Sequence, residues 1–305
     1  MAFTDYLAAK KSVDDASLNA RVLAATAKLL GQKSLEGRPL KVVELGSGIG
    51  TMLTRLLEVR LLPPAEYLLI DKDVDSVHRA KLVIREWLSN HDFQIQTETT
   101  DQLECASPES VELTVSFLTM DALEFAGAVD NSQDFDLLLA HALLDLLPLE
   151  HAIPSFLNLL RPSGVFYFTL NFDGLTAFEP EIDPQYDMQI MDLYHRSMDE
   201  RKVDGMRSGD SRTGRHLFKH LTNAGAKLLE VGASDWVVFP REGEYLMDQG
   251  NFLTFILDMI FHELENHALL DKGQFSAWIA ERKTQISRGE LIFIAHQLDF
   301  LGKVP

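Results

Sequence analysis

An open, mostly parallel α/β sheet with helices on both faces is the fold class this chain predicts. Three observations point to it. Residues 41–45 (Lys-Val-Val-Glu-Leu) form a short apolar run that passes directly into glycines at 46, 48 and 50. From Thr51 the apolar positions Met52, Leu53, Leu56 and Leu57 fall on one helical face. Further short apolar runs follow at 66–71, 112–120, 134–140 and 165–170, with helical patterns at 74–87 and 154–160 between them. Strands alternating with helices are the pattern of a parallel sheet.

Composition sets the bounds. A chain of 305 residues, 46% hydrophobic and 24% charged, can bury a large core as one enlarged domain or two. A formal net charge of -18 argues against a DNA partner, which needs a basic face. Cys105 is the only cysteine, so no disulfide framework exists, and a reducing cytoplasm is the expected compartment. The opening Met1-Ala-Phe-Thr-Asp-Tyr6 lacks the basic and apolar regions of a secretory leader. Phe252 to Phe261, the longest apolar stretch, contains Asp258 and is too short to span a bilayer, so no membrane partner is expected.

Taken in order, residues 1–16 read as a polar leader, with Asp14 or Asp15 capping a helix that carries Leu18, Val22, Leu23, Leu29 and Leu30. The first strand then brings Glu44 to its exit, where a carboxylate has no packing use. The glycines behind it permit positive φ and a close approach of ligand to backbone. A helix N-terminus follows, whose free N–H groups suit a nucleotide-like ligand. The second strand, 66–71, ends in Asp71-Lys72, and the third, 112–120, in Asp121-Ala122. The fourth, 134–140, leads to His141 and Asp145, one helical turn apart if the segment coils.

The glycine spacing separates two readings. A dinucleotide fold wants G-x-G-x-x-G, whereas here the third glycine comes one residue early, in Glu44-x-Gly46-x-Gly48-x-Gly50. This resembles motif I of the class I S-adenosylmethionine-dependent methyltransferases. The resemblance covers 35–171 closely and 211–239 and 289–305 by order. It implies a Rossmann-like, seven-stranded doubly wound sheet, mostly parallel with an antiparallel edge strand, carrying helical lid insertions. It implies S-adenosyl-L-methionine as cofactor, with S-adenosyl-L-homocysteine as product. Glu44, Gly46, Ser47, Gly48, Gly50, Asp71, Lys72, Asp121, Ala122 and His141 are the cofactor-binding positions it implies. Asp71 would take the ribose hydroxyls and Asp121 the adenine amino group. Segments before the first strand, here Tyr6, Lys10 and Lys11, often fold over the cofactor in this class.

The remaining segments depart from the minimal fold. Arg161-Pro-Ser-Gly164 resembles the family's turn before a fifth strand at 165–170, which ends at Asn171-Phe172-Asp173-Gly174. Residues 90–110 look like a loop with at most one edge strand. The expected division is an N-terminal helical segment (1–34), a cofactor-binding core (35–171), a lid insertion (172–210), a core continuation (211–239), a second helical insertion (240–288) and a last strand (289–305). Long inserts at strand carboxyl ends are usually functional. Their methionine and aromatic content suits an apolar lid or a homodimer interface equally.

The function this implies is methyl transfer to an O or N atom of a small-molecule acceptor. The alternatives are a protein or RNA methyltransferase, a non-catalytic module binding the cofactor or its product, and, more distantly, an NAD-dependent reductase. The strand tip lacks the Asp/Asn-Pro-Pro-Tyr/Phe motif of the enzymes that methylate a flipped base. His141, Asp145 and His216 are candidates for a catalytic base. Asn171, Asp173, Tyr186, Tyr194 and Arg212 are candidates for orienting the acceptor. No metal site is expected, since His262 and His267 are five apart rather than the four a helix-borne zinc site needs.

Overall fold

The computed structural model describes residues 2–33, 37–107, 112–128, 134–203 and 205–305. The 34/35 division and Pro108 to Ser110 of the expected loop lie outside them.

Five parallel strands form the centre. They are β1 (Leu40–Leu45), β2 (Ala65–Asp71), β5 (Glu112–Thr119), β6 (Phe135–His141) and β7 (Leu160–Glu179). Two short antiparallel strands, β3 (Gln94–Glu98) and β4 (Gln102–Ala106), extend the sheet beside β5. On the other side stand β10 (Lys227–Ala233), β11 (Trp236–Val238) and β12 (Ile292–Lys303). The order is β10-β12-β7-β6-β1-β2-β5-β4-β3, with β11 paired to β12. Order reverses between β1 and β6, the place where open α/β sheets bind ligands beyond their carboxyl ends.

Helices α2 (Ala20–Lys33), α3 (Thr51–Glu58) and α4 (Val74–Asn90) cover one face, and α5 (Ala122–Ala128), α6 (Leu149–Leu157) and α8 (Thr213–Asn223) the other. Successive strand residues feed opposite cores: Val42, Leu137 and Leu139 pack on the first face, Val43, Leu138 and Ala140 on the second. That double burial explains why these strands read as unbroken apolar runs. A third core joins α1 (Phe3–Ser17), α7 (Pro184–Glu200), α9 (Gln249–Leu264) and α10 (Lys272–Ser287) to the far ends of β7 and β12. A two-stranded ribbon, β8 (Lys202–Val203) and β9 (Met206–Arg207), follows α7. Among the described residues no helix is long and apolar enough to cross a membrane.

Four expectations are corrected. The main sheet has ten strands, not seven; β3 is polar and mostly exposed, and the five-residue β4 buries only Leu103 and Cys105, so no apolar run betrays them. The antiparallel strand β12 is interior, between β7 and β10, not at the edge. Residues 3–17 form a helix instead of a leader, and the side chain of Asn19, rather than Asp14 or Asp15, accepts from the first turn of the next helix. Finally, β7 runs on to Glu179, nine residues beyond the expected end of the fifth strand at Leu170.

That extension hinges on one residue. Leu170 has φ +55°, inside a strand. Before it, Phe166 and Phe168 pack against α5, α6 and α8, while after it Phe172 and Phe178 join the third core on the opposite side. A left-handed residue shifts the alternation of faces by one, as a bulge does. The buried Asp299 holds it there, accepting the Leu170 N–H at 2.8 Å and the Asn19 N–H at 2.8 Å.

Candidate functional site

A cavity of about 400 Å³ opens beyond the carboxyl ends of β1, β2, β5, β6 and β7. Its inner wall carries Glu44, Gly46, Ser47, Gly48, Asp71, Lys72, Asp121 and Ala122. Gly50 stands just behind, as the N-cap of α3.

The glycine turn needs its glycines. Gly46, Gly48 and Gly50 have φ of +65°, +53° and +77°. A Cβ on Gly46 would lie 2.7 Å from Leu143 Cδ1, and one on Gly50 2.7 Å from Ile84 Cδ1. A Cβ on Gly48 would come within 3.1 Å of Leu7 Cδ1, on α1. Three elements therefore close onto this turn.

Asp71 accepts the Gly48 N–H at 2.8 Å and the Asp73 N–H at 2.9 Å. Each of its oxygens, with one N–H apiece, keeps capacity for another donor. Asp121 accepts from Leu123 (2.8 Å) and Glu124 (3.2 Å) and so caps α5 while also lining the cavity. Glu44 is 1% exposed and accepts the Tyr67 hydroxyl at 2.7 Å. Burial raises its carboxyl to about 8, opposed by the Tyr67 hydrogen bond and by Arg55.

At the β6 tip His141 is clamped on both sides. Its Nδ1 lies 2.6 Å from Thr169 Oγ1 and its Nε2 3.0 Å from Asp14 Oδ2. A carboxylate only accepts, so Nε2 carries the proton and the Thr169 hydroxyl donates to Nδ1. Burial lowers the imidazole to about 4 despite Asp14. Asp14, on α1, also accepts from Lys10 Nζ (2.5 Å) and from Trp236 Nε1 (3.0 Å). It is buried, yet these cations and donors hold its carboxyl well below the usual range. This latch ties α1 to the strand tip.

The outer wall consists of side chains from α1, α7, α9 and the far half of β7. Tyr6, Phe172, Thr176, Tyr194, Met198, Arg201, Trp236, Ile256 and Met259 line it, with Asp145 and Gln297. Asp145 sits in a 3-10 turn, Leu144–Leu146, and burial raises its carboxyl.

Other expected site residues lie elsewhere. His216 and Arg212 line a separate surface groove with His151, Arg207 and His220. His216 Nδ1 is 2.8 Å from Asp210 there. Asp173 is buried under Arg215, whose Nε donates to it at 2.7 Å. Asn171 is buried and donates to the Leu298 carbonyl. Tyr186 packs in the third core, its hydroxyl buried without a partner among the described residues. The separation follows from the turn at Leu170, which points Asn171 and Asp173 away from the cavity face.

Sequence reading passed over Asp14 as a ligand of His141, Arg201 and Gln297. The first depends on a contact across 127 positions. Arg201 was one of several cations in the second half of the insert. Gln297 had only the alternation Phe293, Ala295, Gln297, which places the three on one face of β12.

No protein-family model matches the chain, and no curated protein does. Solved structures resemble it at low identity. A candidate methyltransferase of Bacillus halodurans is 14% identical over 93% of this chain and 98% of that one, with a TM-score of 0.49. An S-adenosylmethionine-dependent methyltransferase from Methanosarcina mazei is 11% identical over 87% of this chain and 92% of its own, at 0.44. The geranyl diphosphate C-methyltransferase of Streptomyces coelicolor is 8% identical, over 92% of this chain and 80% of its own, at 0.43. Scores of this size carry no argument about chemistry, which has to come from the side chains. What the chain itself establishes is a Rossmann-like, doubly wound α/β fold with one cavity at its switch point, roofed by α1, α7 and α9.

Proposed function

We propose that the chain is an S-adenosylmethionine-dependent methyltransferase acting on an O or N atom of a small-molecule acceptor. One observation carries the reading: the glycine turn, Asp71 and Asp121-Ala122 share a single cavity with a roofed, largely apolar outer chamber. The residues present fit the cofactor. The turn at 46–50 presents backbone that no Cβ obstructs. Asp71 has acceptor capacity for ribose hydroxyls. Ser47 is 5% exposed, with a hydroxyl that has no partner among the described residues. Glu44, Gly46, Ser47, Gly48, Asp71, Lys72, Asp121 and Ala122 would hold it, with Gly50 shaping the turn.

The bound cofactor would supply a methyl group on a sulfonium, already a good leaving group. What remains for the protein is alignment and exclusion of water. Tyr6, Phe172, Trp236, Ile256 and Met259 surround the outer chamber with apolar surface. We assign proton handling to Asp145, whose Oδ1 has no partner among the described residues and whose raised carboxyl makes it a stronger base than an ordinary carboxylate. His141 is assigned as a positioning residue, since both ring nitrogens are already engaged and it joins α1 to the strand tip. Tyr194 is assigned to the acceptor. His216, Arg212, Asn171, Asp173 and Tyr186 receive no part in the step.

Calorimetric titration with S-adenosylhomocysteine, run beside NAD, tests this. Micromolar binding of the former alone is expected. Binding of NAD alone, or of neither by the folded protein, would overturn the reading.

A further inference from the structure

The outer wall contains polar groups that the protein itself leaves unpaired. Gln297 is 2% exposed, and its amide oxygen has no partner among the described residues. The Tyr6 and Tyr194 hydroxyls line the cavity without a hydrogen bond to any described residue. Arg201, half-buried at the C-terminus of α7, forms neither an ion pair nor a side-chain hydrogen bond among the described residues. Lys10 on the same wall is consumed by Asp14 at 2.5 Å. Native proteins pair nearly all such buried groups, so a cluster of orphans around one space calls for a ligand.

The chemistry of the cluster sets the ligand's class. The two tyrosine hydroxyls can donate, and Arg201 can only donate, in the forked geometry that fits a carboxylate, while the orphaned Gln297 oxygen accepts. Asp145 is the one acid on this wall with an unpartnered oxygen among the described residues. Burial raises its carboxyl, opposed by the charge of Arg201. Around these donors stand Phe172, Met198, Ile256 and Met259, which accept an apolar body.

We infer that the outer chamber binds a small carboxylic acid with an apolar body, its carboxylate held by Arg201 and hydrogen-bonded by Tyr194. The inference rests on the cofactor reading for its division of the cavity into an inner and an outer half. Arg201 is thereby the specificity-determining residue.

Three probes sharing one apolar body test it: 3-phenylpropanoate, 3-phenylpropanamide and 3-phenylpropylamine. Each is titrated into the full chain with and without saturating S-adenosylhomocysteine. The acid is expected to bind at least tenfold more tightly than the amide, and the amine more weakly still. Arg201→Gln should bring the acid to the level of the amide with S-adenosylhomocysteine affinity unchanged, and Arg201→Lys should keep part of the preference. The inference is overturned if the amide or amine binds as well as the acid, if Arg201→Gln keeps the preference, or if none of the three binds. Tight S-adenosylhomocysteine binding without acid preference would sink this inference alone. Acid preference without S-adenosylhomocysteine binding would sink the cofactor reading instead.

Discussion

The two walls of the cavity are built on different principles. On the inner wall the groups come from strand ends and the turns just beyond them, and their partners are local: Asp71 with Gly48 and Asp73, Asp121 with the first turn of α5. On the outer wall they come from helices and strand extensions far apart in the chain, and several have no partner among the described residues. A wall of mostly satisfied groups on sheet ends, with Ser47 Oγ unpartnered among the described residues, is pre-organised for one ligand shape. A wall of orphans is a stability cost, each worth about 1–3 kcal/mol, retained where it meets something from outside. Conserving the one and varying the other would let the same core serve different acceptors.

Five substitutions break or sharpen that contrast. The largest effect belongs to Asp71→Ala on the inner wall. Loss of charge-assisted hydrogen bonds should weaken S-adenosylhomocysteine about a hundredfold by calorimetry, roughly 3 kcal/mol. Tyr194→Phe on the outer wall should leave that affinity within about threefold. Equal losses from both would erase the division.

Next comes Glu44. Its folded-state carboxyl is raised to about 8 from 4.5, so it holds a proton more tightly folded than unfolded. Its contribution to stability is therefore complete below pH 4.5 and is lost as pH rises through 8. Glu44→Gln keeps the shape and the acceptor for Tyr67 but cannot titrate. Urea denaturation of both proteins at pH 6 and pH 8 should show the wild type losing about 2 kcal/mol more than the variant over that range. A variant with the same slope would mean that Glu44 is ionised in the fold.

Gly48→Ala should cost about 1 kcal/mol of stability, from φ +53° and the 3.1 Å approach to Leu7. It should also expose α1 to protease faster than the wild type, because Leu7 is what must give. The smallest change is a gain. Gln297→Met removes an orphan from the outer wall and should raise the melting temperature by about 2–4 °C. A fall would mean that the amide has a structural partner after all.

How much of this could be read in advance follows the same line. Glu44 through Gly50, Asp71 and Asp121-Ala122 are local patterns, each strand and its terminal acid a few residues long, and their order brings them together at one sheet edge. Five strands buried on both faces announced themselves by apolar runs. The hairpin β3–β4 did not, because an exposed polar edge has no such period. Nor did the latch, in which Asp14 looked like a helix cap until the fold brought His141 and Trp236 to it. The outer wall was legible only as composition: a methionine and aromatic stripe holds no record of which members face the cavity. Asn171 and Asp173 were expected to face the ligand because nothing in the letters marks Leu170 as left-handed.

That single residue has a bearing on how the protein can diversify. Beyond Leu170 a second irregularity sets residues 173–175 of β7 against His296 alone, and Phe172 and Thr176 on either side of it both line the chamber. Deleting or inserting one residue between Leu170 and Phe172 would change the face on which Phe172 stands. The segment from 239 to 248, between β11 and α9, carries no such phase. New preferences of the outer chamber are therefore open to this chain through point changes along β7 and through length changes in that connection.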